Sequence, residues 1–305
     1  MTNVHPESVV AIARKDFQDS VRSWVFWGLS TFFFALLVTT TASIWYFADD
    51  PIFGAELTTG VLVGVTSSIT RVIIPVIALI LGWKAIAGEW ESGSMKVLLS
   101  LPHSRKDVVL GKLLGRAVVL ALSLVIGFAL AAVVVAALMG GFDVVDYVGL
   151  LVMSIIYGVA YVSLAVAVSA MTKSTTIAGA GVFGIFLLFY VVWNAAFNAI
   201  QLLVQFEYID GVEYTTEFQG EEIELLRLPD WAYLFDMFDP GTAYSNVLTL
   251  ATDAAEIEGA AQIEADMFHG SIPFFLQDWF SFVVLLFWIL APLAVAVYHF
   301  ERVDL

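Results

Sequence analysis

The sequence predicts an all-α integral membrane protein with six transmembrane helices. Of its 305 residues, 60% are hydrophobic and only 14% are charged, and the mean hydropathy is +0.89. About a quarter of the residues in a soluble domain are charged, so this chain has too few polar side chains to cover a water-exposed surface. A helix needs roughly 20 apolar residues to cross a bilayer, and runs of that length recur along the chain.

Six apolar runs reach this length, and together they make the whole chain, 1–305, a single transmembrane domain. The predicted spans are 24–47, 66–86, 116–139, 148–171, 177–204 and 279–299. Tryptophan and tyrosine lie near several of their ends, as is usual at membrane interfaces. The first run is too long for a signal peptide, and acidic residues precede it, so we do not expect it to be cleaved.

The basic residues lie almost entirely on one side of this topology. Eleven of the 13 Lys and Arg residues precede span 1, follow span 6, or lie between spans 2 and 3 or spans 4 and 5. The positive-inside rule makes that side cytoplasmic. The sequence therefore predicts a multi-pass protein of the plasma membrane with both termini in the cytoplasm.

The acidic residues follow the opposite distribution. The formal net charge is −16, and the large segment 205–278 between spans 5 and 6 is rich in acids, so we predict it to be extracellular. An acidic surface is typical of proteins in high salt, where repulsion is screened, but it could also gather cationic cargo. Either way, this charge argues against nucleic acid as a partner.

No catalytic or metal site is expected. The chain has no Cys and only four scattered His residues, which excludes thiolate chemistry and Cys-ligated metals. Glu264, Asp266 and His269 are the nearest approach to a metal-ligand cluster, and their spacing is not that of a known site.

Residues 6–23 predict an amphipathic helix before the first span. Val9, Val10, Ala13, Phe17 and Val21 recur at helical spacing, with basic and polar residues on the other face. Such a helix can lie in the inner headgroup layer, in contact with membrane lipid. The alternative is a short helix docked on the protein.

The loop 84–115 contains a short apolar helix. Gly93 ends the helix that leaves span 2, Ser94 is expected to cap a new helix over Met95–Ser100, and Pro102 ends it. Ser104 and Asp107 fit a capping box, so the next helix should continue into span 3. Exposed apolar residues on a short helix usually mark a partner surface, although packing against the protein's own inner face is an alternative.

Signature residues in this loop resemble those of ABC-2 type transporter permeases. They are Gly88–Ser94, Leu98–Arg105 and Gly111–Gly115, with further matches at Ser169–Ser174 and Phe300–Leu305. The resemblance implies a dimer, with a second copy or a related permease, and a separate ATPase subunit that binds ATP and Mg. It makes residues 6–23 a connecting helix and the loop a coupling helix. The coupling residues it implies are Glu89, Trp90, Glu91, Ser92, Gly93, Met95, Leu98, Leu99, Leu101, Pro102 and Arg105.

This chain is not expected to be an enzyme or to bind a cofactor itself, because it contains no Walker A pattern. The function that follows is the permease subunit of an ATP-driven transporter, most simply an exporter. An ion-coupled secondary transporter or an intramembrane enzyme is the alternative, and both normally need acids or His within the spans. The predicted spans contain no acid, and no residue identifies the cargo.

Polar residues inside the spans could line a translocation path or hold helices together. Asn194, Asn198, Gln201 and Gln205 follow one stripe of span 5, which should therefore face protein or water. Arg71 in span 2 either reaches the outer surface or pairs with an acid of the outer segment. The aromatic run 229–238 suggests short helices that enter the outer leaflet, or else a cap folded on its own aromatics.

Overall fold

The computed structural model describes residues 4–48, 58–101, 104–218, 221–252, 267–268 and 270–302. Within this part of the chain, six helical stretches are long and apolar enough to cross a membrane. They are α2 (Trp24–Phe47), α3 (Thr59–Gly82), α6 (Arg105–Met139), α7 (Val144–Ala170), α12 (Asp278–Phe300), and a continuous fifth span made of α8 (Thr175–Leu187), a π-helical segment (Leu188–Trp193) and α9 (Asn194–Gln205).

Shorter elements connect the spans. They are α1 (Pro6–Val21), α4 (Ala87–Glu91), α5 (Ser94–Ser100), strands β1 (Val212–Phe218) and β2 (Glu221–Arg227), α10 (Asp230–Met237), α11 (Pro240–Val247), and 3₁₀ turns at Leu248–Leu250 and Phe274–Leu276. Each predicted span is thus helical over most of its length, although α3 ends at Gly82 rather than at 86, and the fold is mainly α.

Two spans begin earlier than predicted. Span 2 begins at Thr59 rather than 66, because the Thr58 hydroxyl accepts a hydrogen bond from Val61 N and caps a stretch whose Gly and hydroxyl residues lower its hydropathy. Span 4 begins at Val144 rather than 148, because the Asp143 carboxylate accepts bonds from two backbone amides. The earlier start of α3 places Arg71 about 18 Å along the helix.

The predicted continuous helix through span 3 is confirmed. Ser104 and Asp107 form the reciprocal capping box, and α6 runs unbroken for 35 residues. At 1.5 Å per residue its length is about 50 Å, well beyond the roughly 30 Å of a bilayer core. Its first turns therefore extend past the membrane, where they contact α1 and the segment that contains α4 and α5.

The core lies where α7 packs against α3, α6 and α12, and α6 packs against α1 and α2. Large side chains such as Phe26, Phe33, Tyr157 and Phe300 are almost fully buried there. Van der Waals packing of this kind holds spanning helices together, because lipid offers no hydrophobic driving force between them.

Helix α1 packs against α6. This contact agrees with the alternative prediction, in which residues 6–23 form a short helix docked on the protein. Its buried face contains Val9, Ile12, Asp16 and Ser20. This face overlaps the predicted apolar stripe in part: Val9 is buried and Phe17 and Val21 pack against the core, whereas Val10 is 61% exposed. The buried face is rotated from the predicted stripe because the charged Asp16 is buried against basic residues of α6.

One element corrects the all-α prediction. Strands β1 and β2 pair antiparallel, with Tyr214 opposite Leu225 and Thr216 opposite Ile223. Tyr214 and Thr216 are buried, whereas Glu213 and Thr215 on the other face are exposed. The run Val212–Phe218 alternates in this way and is rich in aromatic and β-branched residues, which is the pattern that favours a strand.

Candidate functional site

The segment between α3 and α6 is anchored by a buried serine of α7. The Ser169 hydroxyl accepts hydrogen bonds from Ile86 N and Ala87 N, both at 3.0 Å, and so fixes the start of α4. Gly93, at φ 76°, ends α4 and occupies the N-cap position of α5. The prediction that Ser94 caps α5 is therefore wrong, and its hydroxyl instead donates to Glu89 Oε2 at 2.7 Å.

Only part of the apolar surface predicted on α5 is exposed. Val97 is 68% exposed and Leu101 49% exposed, whereas Met95 is completely buried. Leu98 is half-buried against the core. Met95 is thus an internal anchor of α5, which corrects its assignment to a partner surface. The Leu99 side chain and Pro102 lie outside the described residues.

A buried cluster of charges joins this segment to α1. Lys112 Nζ of α6 lies 2.9 Å from Asp16 Oδ1 of α1 and 2.6 Å from Glu89 Oε1 of α4. Arg116 Nε lies 2.9 Å from Asp16 Oδ2. Only 9% of the Lys112 side chain is exposed. One ammonium group therefore connects three elements.

Two further signature residues, Trp90 and Glu91, contact the last span and the start of the fifth span. The Trp90 ring contacts the Phe300 ring edge-on at 6.4 Å, and Lys173 Nζ lies 4.6 Å from its centroid. Glu91 accepts a hydrogen bond from the Thr175 hydroxyl. Ser92 Oγ donates to Glu89 O at 3.3 Å, within the segment itself.

The basic end of the segment is attached to the C-terminal end of α12. Arg105 Nη1 donates to Phe300 O at 2.9 Å and to Glu301 O at 3.1 Å. Lys106 Nζ forms an ion pair with Glu301 at 3.3 Å. The charges that flank α5 therefore hold it in place. Its exposed apolar residues lie on a helix whose position is fixed by contacts with the rest of the chain.

Arg71 pairs with an acid of the segment 205–278, which was one of the two arrangements predicted for it. Its Nη2 donates to Asp239 Oδ2 at 3.1 Å and to Thr242 Oγ1 at 3.0 Å. Asp239 also caps α11 by accepting from Thr242 N at 2.8 Å. This partner could not be read from sequence, because 168 residues separate the two charges.

Helix α11 lies against the middle of α7. The Tyr244 ring stacks on the Tyr157 ring at 4.4 Å, and the Tyr244 and Ser154 hydroxyls are 3.0 Å apart. Tyr157 lies 13 residues into α7, about 20 Å from its first residue. Within the aromatic run 229–238, Phe235 stacks on Trp193 of the fifth span at 4.4 Å and Phe238 contacts Phe287 of α12 at 6.2 Å, whereas Tyr233 contacts Phe268 of its own segment. The run therefore packs partly on the spans and partly on itself.

A cavity of about 420 Å³ lies beside the Arg71–Asp239 pair. Residues of α3, α7, the fifth span and α11 line it, among them Ser68, Arg71, Tyr161, Tyr190 and Asn194. Its volume is in the range of small-molecule sites.

The amide stripe of the fifth span begins at this cavity. All four amide side chains are exposed in the single chain. Asn194 Nδ2 donates to Phe189 O and Tyr190 O, both at 3.1 Å, and Asn198 Nδ2 donates to Asn194 O at 2.7 Å. These bonds of Asn194 and Asn198 stay within the fifth span, so they satisfy the two amides without joining it to another helix.

A second cavity, of about 700 Å³, lies at the other end of the stripe. Gln201 and Gln205 line it together with Arg227, Tyr233 and Asp236 of the outer segment. Burial, with a smaller contribution from Asp239, raises the pKa of the Asp236 carboxyl from 3.8 to about 6. Burial also raises the pKa of the Asp239 carboxyl, against the opposing effect of Arg71.

Among the residues that the structure describes, no three His, Asp or Glu side chains converge as a metal site would require. Glu264, Asp266 and His269 lie outside the described residues.

The structure has the features of the class of membrane transport permeases. They are six helices able to span a membrane, a short helix held in place within the basic loop, and a polar cavity. The chain matches the model of the ABC-2 family transporter proteins over residues 10–305. It belongs to that family, as the signature residues predicted, and this membership is consistent with the permease subunit of an ABC transporter.

Two similar proteins are both named as probable ABC transporter permeases. The probable ABC transporter permease protein NosY of Pseudomonas aeruginosa is 31% identical over 201 residues, which cover 65% of this chain and 72% of the relative. The protein of the same name from Stutzerimonas stutzeri is 28% identical over 196 residues, covering 63% of this chain and 70% of the relative.

Proposed function

We propose that this chain is the permease subunit of an ATP-driven exporter in the plasma membrane, and that a separate ATPase subunit docks on α5. The observation that carries this proposal is the exposure of Val97 and Leu101 on a helix whose other side is anchored by Met95. Apolar residues of this kind supply most of the energy of protein interfaces when a partner covers them.

The charge distribution supports a cytoplasmic position for both termini and for residues 84–115. Loops rich in Lys and Arg face the cytoplasm, and this loop contains Lys96, Arg105, Lys106 and Lys112. ATP and Mg would then be bound by the partner subunit on that side. No ATP-binding Walker A motif is present in the 305-residue sequence.

The Lys112 cluster provides a route for force from the ATPase. A displacement of α5 moves α4, and α4 is tied through Glu89 to α6 and, through Lys112, to α1. Rigid, packed elements with strong short contacts transmit such displacements over long distances. The proposed output is a movement of α6, which continues directly into span 3.

The cargo path follows the fifth span. The 420 Å³ cavity lies at Asn194 and the 700 Å³ cavity at Gln201 and Gln205, and Asn198 lies about one turn from Asn194 and from Gln201. This stripe is about 16 Å long. Because an amide row is costly in lipid, a second copy of the chain facing it would enclose the path.

The positions of the acids in the spanning helices do not favour a proton-coupled transporter or an intramembrane enzyme. Asp107, Asp146 and Asp278 all lie in the first turn of their helices. Asp107 acts there as part of a capping box. Carboxylates near a helix N-terminus stabilise the helix dipole, which is a sufficient role for them.

Co-purification with the ATPase tests the docking surface. Val97→Asp places a charge where an apolar contact is expected, and we expect at least a tenfold loss of ATPase recovery from detergent-solubilised membranes. Met171→Asp is the matched control, because Met171 is 48% exposed between α7 and α8 on the same side. Equal recovery with wild-type and Val97→Asp permease, at equal permease yield, would contradict docking on α5.

A further inference from the structure

The cavity beside Arg71 has a lining that selects for one kind of ligand. Arg71 and Asp239 are its charged lining residues in the described part of the chain, and they neutralise each other at 3.1 Å. Other contributions come from hydroxyl groups, the Asn194 amide and aromatic rings. The site is therefore polar and aromatic but carries no net charge.

The guanidinium group retains donor capacity toward the cavity. Its bonds to Asp239 and Thr242 both use Nη2, and 35% of the Arg71 side chain is exposed. Gly241 lies close to Nε, where an added Cβ atom would come within 2.7 Å. The remaining N–H groups can donate to a ligand. The ligand must supply the acceptor, because a guanidinium carries only donors.

Apolar contact is available on the opposite wall. The Phe186 and Tyr190 rings stack at 5.4 Å, and both line the cavity together with Phe189 and Tyr161. Flat aromatic walls bind flat or apolar bodies well.

Net charge on a ligand would be unfavourable here. An anion bound to Arg71 would also lie near Asp239, and a cation bound to Asp239 would also lie near Arg71. Either ion would therefore place an uncompensated charge beside a pair that is already neutral.

We propose that this cavity binds an uncharged amphiphile, with a carbonyl or similar acceptor on Arg71 and an apolar or aromatic body between the rings of the fifth span and α7. The inference rests on the proposed transport function and specifies the class of cargo. Its test uses the permease without the ATPase, so that docking on α5 and cargo class can fail separately.

The experiment compares three fluorescent probes of similar size on the full chain in lipid nanodiscs. They are naphthalene-2-acetamide, naphthalene-2-acetate and 2-(naphthalen-2-yl)ethylammonium, with binding to empty nanodiscs subtracted. We expect the amide to bind at least tenfold more tightly than either ion. Comparable binding of either ion would overturn the proposal.

Variants locate the probe. Arg71→Met combined with Asp239→Asn removes both charges together and should weaken amide binding at least tenfold. Tyr190→Ala alters a ring that is 47% exposed and should weaken binding several-fold without affecting the core. Val65→Met, at a 42% exposed position of α3 outside the lining, is the control and should change binding less than twofold. Unchanged binding in both cavity variants would overturn the proposal.

An uncharged amphiphile can come from the membrane or from solution, and a competition arm separates these sources. Displacement of the amide by dioctanoylglycerol would support the proposal with a lipid source. Displacement by acetanilide, a water-soluble neutral amide, but not by dioctanoylglycerol would support it with a soluble source. Displacement by neither would overturn it.

Discussion

Lys112 is the residue on which the basic side of the molecule converges. Its ammonium group is buried and lies within 3 Å of carboxylates from two other elements. Buried ion pairs add little net stability compared with apolar replacements, but removing one partner leaves an uncompensated charge that costs about 3–5 kcal/mol. Such an arrangement favours a defined geometry between α1, α4 and α6.

A double-mutant cycle on Lys112 and Glu89 measures this connection. We expect Lys112→Met to lower the free energy of unfolding by about 3 kcal/mol, Glu89→Gln by less, and the pair to show a coupling energy of about 1.5–3 kcal/mol. The measurement is denaturant unfolding in detergent at pH 7. Lys106→Met is the control, and because its pair with Glu301 is partly exposed it should cost under about 1 kcal/mol. Additive effects of Lys112 and Glu89 would show that the contact carries no energy.

Sequence reasoning at this scale selected residues but not the contacts that they make within the chain. Glu89, Trp90 and Arg105 were selected through a family resemblance, and all three contact their own chain in the structure. Lys112 was noted only as part of a signature and a basic loop. Its partner Asp16 lies 96 positions away, a separation over which local pattern contains no information about contact.

At the scale of elements, the close approach of α1 to α6 depends on two glycines. A Cβ atom on Gly111 would come within 2.7 Å of the Ile12 side chain, and one on Gly115 within 2.8 Å of Asp16 Cβ. Small residues at a helix interface let the backbones approach closely. The ion pairs of Asp16 form only because the two helices are this near.

Gly111→Val should therefore displace α1. We expect a loss of about 1–3 kcal/mol in unfolding free energy from overpacking, and faster tryptic cleavage after Arg14 and Lys15 in the purified protein. Gly28→Val on α2 is the control, because a Cβ atom at Gly28 would have nothing within 4 Å and the change should leave the cleavage rate unaltered. An unaltered cleavage rate in Gly111→Val would mean that α1 does not depend on this contact.

Helices were easier to predict than their ends or the hairpin. Long apolar runs and the Ser104–Asp107 box are local signals, and they gave the spans and the continuous α6. The start of α3 was missed because glycine and hydroxyl residues weaken its hydropathy without preventing helix formation. The hairpin was missed because charge dominated the interpretation of its Glu-rich strands, although alternate residues carried the strand pattern.

For the whole molecule, the fifth span is the least covered of the described spans. Only 17% of its most apolar window is buried, against 61% for α7. Its exposed side includes the amide stripe, which no sequence argument could assign to either helix contact or cargo. A second copy of the chain that covers this face would account for the low burial of the fifth span and for the exposure of its amide side chains.

Cross-linking tests that arrangement in a chain that has no native Cys. We expect Asn198→Cys to form a covalent dimer in membranes with a short bis-maleimide. Val133→Cys on α6 is the control, since it is 73% exposed but lies on a different span and should remain monomeric. Equal cross-linking at both positions would indicate random collision and contradict a dimer through the fifth span.

The π-helical segment Leu188–Trp193 has a further consequence for this span. A π turn holds one more residue than an α turn, and each residue in a helix adds about 100° of rotation. If the Asn194 amide released Phe189 O and Tyr190 O, the segment could tighten to α-helical pairing. Everything beyond it would then rotate by about a quarter turn about the helix axis, with no hinge and no break. The stripe from Asn198 to Gln205 would swing with it, so that the same amides could face first one compartment of the path and then another.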